Sequence, residues 1–194
     1  MSKIIYTSDK KIEWDAQSAF KITNYYTDNE NCMVFCYLKL YVQNGDLKLC
    51  TFCFDKEAAG KNDLQLCFNL NPEKDSKYLH TQFGIDGIAS LYSVQNGTPV
   101  QQCCDGITYH SFKSNDQQGF YWCGEITLSK DFIRTHFNTY LDEKSIILLN
   151  LYKIFPSVDD YGCLFPDKDN ILTEKSDCME EFVVLKYYKQ SEAI

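Results

Sequence analysis

VFCYLKLYVQNGDLKLCTFCF, residues 34–54, decides the fold. Val34, Cys36, Leu38, Leu40 and Val42 alternate with Phe35, Tyr37, Lys39 and Tyr41. A period of two puts one set against a core and the other on the opposite side, which is how a strand with one buried face reads. Asn44-Gly45-Asp46 then interrupts the pattern, and LKLCTFCF (47–54) resumes it. Asn-Gly between two alternating runs is the strongest short-range hairpin signal, because glycine adopts positive φ without a steric cost.

The same period continues outward. DLQLCFNL (63–70) sets Leu64, Leu66, Phe68 and Leu70 on one face and stops at Asn71-Pro72. YLHTQFGI (78–85) runs to Asp86-Gly87, and IASLYSV (88–94) to the turn Asn96-Gly97-Thr98-Pro99. ITYHSFK (107–113), FYWCGEITL (120–128), SIILLNLYKIF (145–155) and EEFVVLKYY (181–188) complete the set. About nine strands at this spacing predict a sandwich or barrel. One helix is expected: Ser129 is a plausible N-cap for KDFIRTHF, whose Phe132, Ile133 and Phe137 share a stripe. Residues 156–180, with Pro156, Gly162 and Pro166, read as a long polar loop. The expectation is an all-β fold, a jelly-roll-like antiparallel β-sandwich with one short helix. It forms a single domain over residues 1–194, with its core in about 10–188.

Composition removes several functions. The net charge is -8, and the 19 basic residues include a single arginine, Arg134. No basic stripe is available to neutralise phosphates, so nucleic acid is not an expected partner. No run of about 18 apolar residues marks a membrane span. MSKIIYTSDKKIEW turns polar after two isoleucines, unlike a secretory leader, so a cytoplasmic setting is expected. Ten cysteines fit a reducing compartment as small buried hydrophobes. Cys50 and Cys53 form a CxxC, but positions three apart on a strand point to opposite faces, which is poor geometry for one metal. Asp159, Asp160, Asp167, Asp169 and Asn170 crowd the long loop. Oxygen-rich loops can hold calcium, although DKDN lacks the glycine and closing glutamate of an EF-hand loop, and no cofactor is otherwise expected.

FYWCGEITL carries the functional question. Alternation sends Phe120, Trp122, Gly124, Ile126 and Leu128 to the core, and Tyr121, Cys123, Glu125 and Thr127 to the other face. Glu125 is then a solvated strand residue, a partner for a lysine, or a ligand contact. Trp14, the 34–54 hairpin, Tyr78 to Gly87, Tyr121-Trp122-Cys123-Gly124-Glu125-Ile126, Phe132-Ile133 and Leu149-Asn150-Leu151-Tyr152 follow in an order that resembles the family 9 carbohydrate-binding modules and the broader DOMON-like β-sandwiches. That resemblance implies a jelly-roll with an aromatic-lined sugar site, where a tryptophan pair clamps the sugar and carboxylate and amide groups bond its hydroxyls. This chain has only two tryptophans, Trp14 and Trp122, both at positions where core packing is expected first. Tyr152, Phe155, Tyr161 and Phe165 follow Asn150 instead.

The expected function is non-catalytic binding of a carbohydrate or similar small polar ligand. The expected groove is lined by Tyr121, Tyr152 and Tyr161, with Glu125 and Asn150 as hydrogen-bonding groups. Two alternatives stand beside it. A glycoside hydrolase on the same scaffold would need two carboxylates facing each other across the bond. A cytosolic interaction domain would show an apolar patch without a pocket. Haem binding by His80 or His110 with a methionine is disfavoured by an inventory of Met1, Met33 and Met179.

Overall fold

The computed structural model describes residues 3–11, 13–26, 35–55, 63–96, 98–102, 105–117, 119–154, 161–166 and 179–187. Its strands are β1 (Lys3–Ser8), β2 (Phe20–Lys21), β3 (Asn24–Tyr26), β4 (Cys36–Gln43), β5 (Asp46–Asp55), β6 (Asp63–Asn69), β7 (Tyr78–Gly84), β8 (Gly87–Gln95), β9 (Thr98–Gln102), β10 (Ile107–Asp116), β11 (Gly119–Leu128), β12 (Ile146–Ile154), β13 (Tyr161–Cys163) and β14 (Glu180–Lys186). Among the described residues one α-helix, α1 (Lys130–Phe137), follows β11.

The decisive hairpin forms as its sequence requires. Asn44 and Gly45 both have positive φ, 52° and 86°, as a two-residue turn that matches strand twist demands. Cys36, Leu38, Leu40 and Val42 are buried. The turn docks on α1: Asp46 Oδ1 accepts from the Lys130 amide at 2.8 Å, placing a carboxylate at the helix N-terminus, where the dipole favours it. Ser129 caps that helix by accepting from the Phe132 amide at 3.2 Å, and Phe132, Ile133 and Phe137 are buried as the stripe predicts.

The strands join in one hydrogen-bonded sheet, ordered β10-β11-β5-β4-β1-β14-β12-β6-β7-β8-β9. β13 extends β12 and pairs with β3, and β2 pairs with β4. The sheet curls. β10 stands at one end of this order, yet Ser111 Oγ donates to the Ile85 carbonyl at 2.7 Å at the β7–β8 corner near the other end. A single apolar cluster therefore collects Leu38, Leu49, Trp122 and Ile126 from one wing, and Leu66, Phe83, Leu149 and Phe182 from the other.

Three expectations change. The sheet is mixed, not antiparallel: β1 lies between β4 and β14 and runs parallel to both. Its sequence, KIIYTS, shows too little alternation to announce a strand. Thr98–Gln102, read partly as a turn, is a strand, and Pro99 fits there because β9 ends the sheet order among the described residues. The long loop is not wholly loop, since Tyr161–Cys163 is a strand and Leu164 is buried. The acidic residues considered for calcium lie outside the described residues.

Candidate functional site

Strand register lays out the outer face of β10, β11, β5 and β4 in rows. His110, Glu125, Cys50 and Lys39 form one row. Phe112, Cys123, Phe52 and Tyr37 form the next. Glu125 points outward, as alternation requires, and is half-buried by what lies over it.

What lies over it is Trp14. The short turn Trp14–Ala16 buries none of its own residues, so this tryptophan is not in the core; Trp122, at 2% exposure, is. The Trp14 indole Nε1–H donates to Glu125 Oε1 at 2.8 Å, and Lys39 Nζ donates to the Trp14 carbonyl at 2.9 Å. The indole meets the Tyr41 ring edge-on, with centroids 4.9 Å apart. A segment far from β11 in sequence is thus fixed to the sheet by one carboxylate, one ammonium and one ring. Burial raises the Tyr41 phenol above its ordinary pKa, and the nearby Glu125 and Glu13 carboxylates add to the effect.

Beside this polar row stands a ladder of rings. Tyr37 and Phe52 stack at 5.3 Å with 9° between planes, and Phe52 and Tyr121 at 5.8 Å with 28°. Rings stacked across neighbouring strands stand upright and turn mostly edges to solvent. Phe35 packs edge-on against Tyr37 and Phe52 and is 45% exposed, and Phe112 is 59% exposed. Sugar recognition needs an open ring face close to hydrogen-bonding groups, and on this face the half-buried Trp14 indole stands next to Glu125 and Lys39.

The other anticipated residues lie elsewhere. Tyr121 shares the outer face with Glu125. Asn150 and Tyr152 are on β12 and Tyr161 on β13, in the other wing. Asn150 is 0% exposed, its Nδ2 donates to the Phe165 carbonyl at 3.1 Å, and its Oδ1 accepts from the Phe165 amide at 3.2 Å. It clamps the chain after β13 to the sheet. Tyr152 and Tyr161 are buried in a satellite cluster with Cys67, Tyr78, Val94 and Cys163, where Tyr161 stacks on Tyr26 at 4.7 Å. The five residues therefore divide between two wings.

The CxxC splits as expected. Cys50 faces outward, its sulfur 3.1 Å from that of Cys123, whereas Cys53 faces the core, 2.8 Å from that of Cys36. The Cys50 thiol is held protonated by its hydrogen bond to Cys123 and by burial, and that same bond lowers the Cys123 thiol. No cluster of three or more metal-ligating side chains occurs among the described residues.

Sequence reasoning missed two features. The role of Trp14 left no periodic signal, because a single residue on a turn has no repeat to read. A polar cleft of about 360 Å³ opens between the β6–β7 turn and the segment after α1, with Asn71, Lys74, Tyr140, Asp142 and Lys144 in its lining. Its residues come from two turns, which also lack a pattern.

No family profile matches this chain, and no curated protein matches it in sequence. Solved structures do. A protein from Bacteroides uniformis, provisionally described as carbohydrate-binding, superposes with a TM-score of 0.73 at 8% identity, over 94% of this chain and 98% of its own. A family 9 carbohydrate-binding module from Caldicellulosiruptor kristjanssonii, solved in complex with cellotriose, superposes with a TM-score of 0.63 at 9% identity, over 100% of this chain and 98% of its own. At such identities the likeness is one of fold.

Proposed function

We propose that the protein binds a carbohydrate, without catalysing a reaction on it, at the outer face of β4, β5 and β11. Trp14 supplies the stacking surface, and Glu125 and Lys39 supply hydrogen bonds. The observation that carries this reading is the pinned, half-buried Trp14 beside Glu125 and next to a ring ladder. Pyranose rings present flat C–H faces to aromatic rings, and their hydroxyls need fixed partners, since a buried unpaired polar group costs about 1–3 kcal/mol. Two solved structures of the same fold support it, one described as carbohydrate-binding and one holding cellotriose. We read the two wings of the curled sheet as the layers of a jelly-roll-type sandwich, a reading their common core supports. Tyr121 flanks the site, whereas Asn150, Tyr152 and Tyr161 support the fold from the other wing.

Isothermal titration with cellotriose and a panel of other oligosaccharides tests the proposal. Binding should appear for at least one ligand and weaken about tenfold or more in Trp14→Ala, equivalent to roughly 1.4 kcal/mol. Glu125→Gln, which keeps an acceptor for the indole, should weaken it less. A flat titration across the panel, or a Trp14→Ala variant that is folded and binds normally, overturns the proposal.

The exposure of Phe35 and Phe112 on this same face favours a second reading, a docking surface for a protein. Under that reading a Phe35→Ser, Phe112→Ser variant leaves oligosaccharide titrations unchanged and abolishes capture of the partner.

A further inference from the structure

The hairpin that decides the fold also brings two pairs of sulfurs together, and the backbone sorts them. Cys36 and Cys53 are directly opposite one another on β4 and β5. The Phe54 amide donates to the Phe35 carbonyl at 2.8 Å, and the two-residue turn closes on Gln43 and Asp46. Counting from either end in steps of two, Cys36 and Cys53 occupy a non-hydrogen-bonded position. There the Cα atoms approach to about 4.5 Å and the side chains lie closest, which falls within the roughly 4.4–6.8 Å that a disulfide spans. Cys50 and Cys123 are placed differently. Cys50 stands opposite Glu125, and Cys123 opposite Phe52, so the two cysteines are diagonal neighbours. Diagonal Cα atoms are about 7–8 Å apart, beyond the usual disulfide span, even though these sulfurs touch at 3.1 Å.

We propose that Cys36 and Cys53 are a modification site that forms an intramolecular cross-strand disulfide, while Cys50 and Cys123 remain a hydrogen-bonded thiol pair. The bond staples the open end of the hairpin, opposite its Asn44-Gly45 turn, directly beneath the Phe35, Tyr37 and Phe52 rings. A small-molecule disulfide such as oxidised glutathione is the oxidant. The thiolate of one cysteine attacks it, forming a mixed disulfide and releasing one glutathione thiolate, and the second cysteine thiolate then displaces the other. The protein loses two protons and two electrons, and one glutathione disulfide takes them up to become two glutathione thiols. Both sulfurs are fully buried, so exchange proceeds when the strand ends open. The inference does not depend on the carbohydrate reading.

The test is peptide mapping of the whole protein after equilibration with oxidised glutathione and alkylation under denaturing conditions. Fragmentation must separate Cys36 from Cys32 and Cys53 from Cys50, because tryptic peptides join each of these pairs. The expected product is a Cys36–Cys53 cross-link, two hydrogens lighter than the dithiol, with Cys50 and Cys123 alkylated. A Cys50→Ser, Cys123→Ser variant should keep the cross-link. Recovery of Cys36 and Cys53 as alkylated or separately glutathionylated residues, or a Cys50–Cys123 cross-link in their place, overturns the proposal.

Discussion

Replacing Asn150 with alanine distinguishes a structural amide from a ligand contact, because the two roles move different observables. Asn150 is fully buried and bonds both the amide and the carbonyl of Phe165. Each lost bond removes about 1 kcal/mol, and each stranded backbone group adds a desolvation cost of about 1–3 kcal/mol where water does not reach it. Phe165 is partly exposed, so solvent relieves some of that cost, and a total near 3 kcal/mol follows. With a urea slope of about 2 kcal/mol/M, the unfolding midpoint should fall by roughly 1.5 M with the slope unchanged. Intrinsic fluorescence will follow the transition, since Trp122 is buried in the core. Oligosaccharide titration of the folded variant should match the parent. A midpoint shift below about 0.5 M together with lost binding would refute the assignment of Asn150 to the scaffold. Asn150→Asp sharpens the case. A carboxyl buried there has a folded pKa above its unfolded value of about 3.9, so the folded state holds the proton more tightly. That variant should be least destabilised in acid and lose stability as pH rises through 4 and on through the raised folded pKa.

Other perturbations follow from single contacts. A methyl group added at Gly124 would meet Tyr109 Oη at 2.9 Å, Thr51 Oγ1 at 3.2 Å and Trp122 at 3.2 Å. Gly124→Ala should therefore cost about 1–3 kcal/mol by chemical denaturation, an overpacking penalty. Ser129→Ala removes the α1 cap and should cost about 1 kcal/mol by the same measurement. Burial, helped by the neighbouring Cys36 and Cys53, raises Tyr25 from 10 to about 12. Its proton is held more tightly in the folded state, so the stability it contributes is complete below pH 10 and is lost between pH 10 and about 12. Tyr25→Phe should flatten part of that alkaline loss in a pH series of thermal melts.

The residues that were legible are those whose position obeys a period. Alternation placed Leu64, Leu66 and Phe68 inside and Glu125 outside because each belongs to a strand long enough to repeat. The hairpin was legible because Asn-Gly has a specific conformational reason to stand between two such runs. What failed was information held between strands distant in sequence. The parallel insertion of Lys3–Ser8 between β4 and β14 depends on pairing partners more than 30 residues and more than 170 residues away, and nothing in KIIYTS names them. Asn150 is ambiguous in the sequence for a related reason. An amide in an apolar run must find partners, but sequence does not say whether they come from a ligand or from the protein's own backbone. Here the Phe165 backbone, 15 residues on, pairs with both its oxygen and its nitrogen, and the Tyr152 hydroxyl accepts from the same nitrogen at 3.2 Å.

The same distinction explains why the candidate site centres on Glu125. A carboxylate on a flat strand face is unremarkable until something uses it, and here a distant turn does. The Glu125–Trp14 bond spans 111 residues of sequence. A charge-assisted bond of this kind contributes about twice what a neutral one does. Its geometric consequence matters more: without it Trp14 has the Tyr41 ring edge and the Lys39 bond to its carbonyl, and neither fixes the indole's orientation. Under the proposed function Glu125 is the residue that orients the stacking surface, through its bond to the indole. Substitution at Glu125 and at Trp14 should then be non-additive in ligand affinity, because once the indole is gone the carboxylate keeps its own bond to the ligand but loses its orienting role.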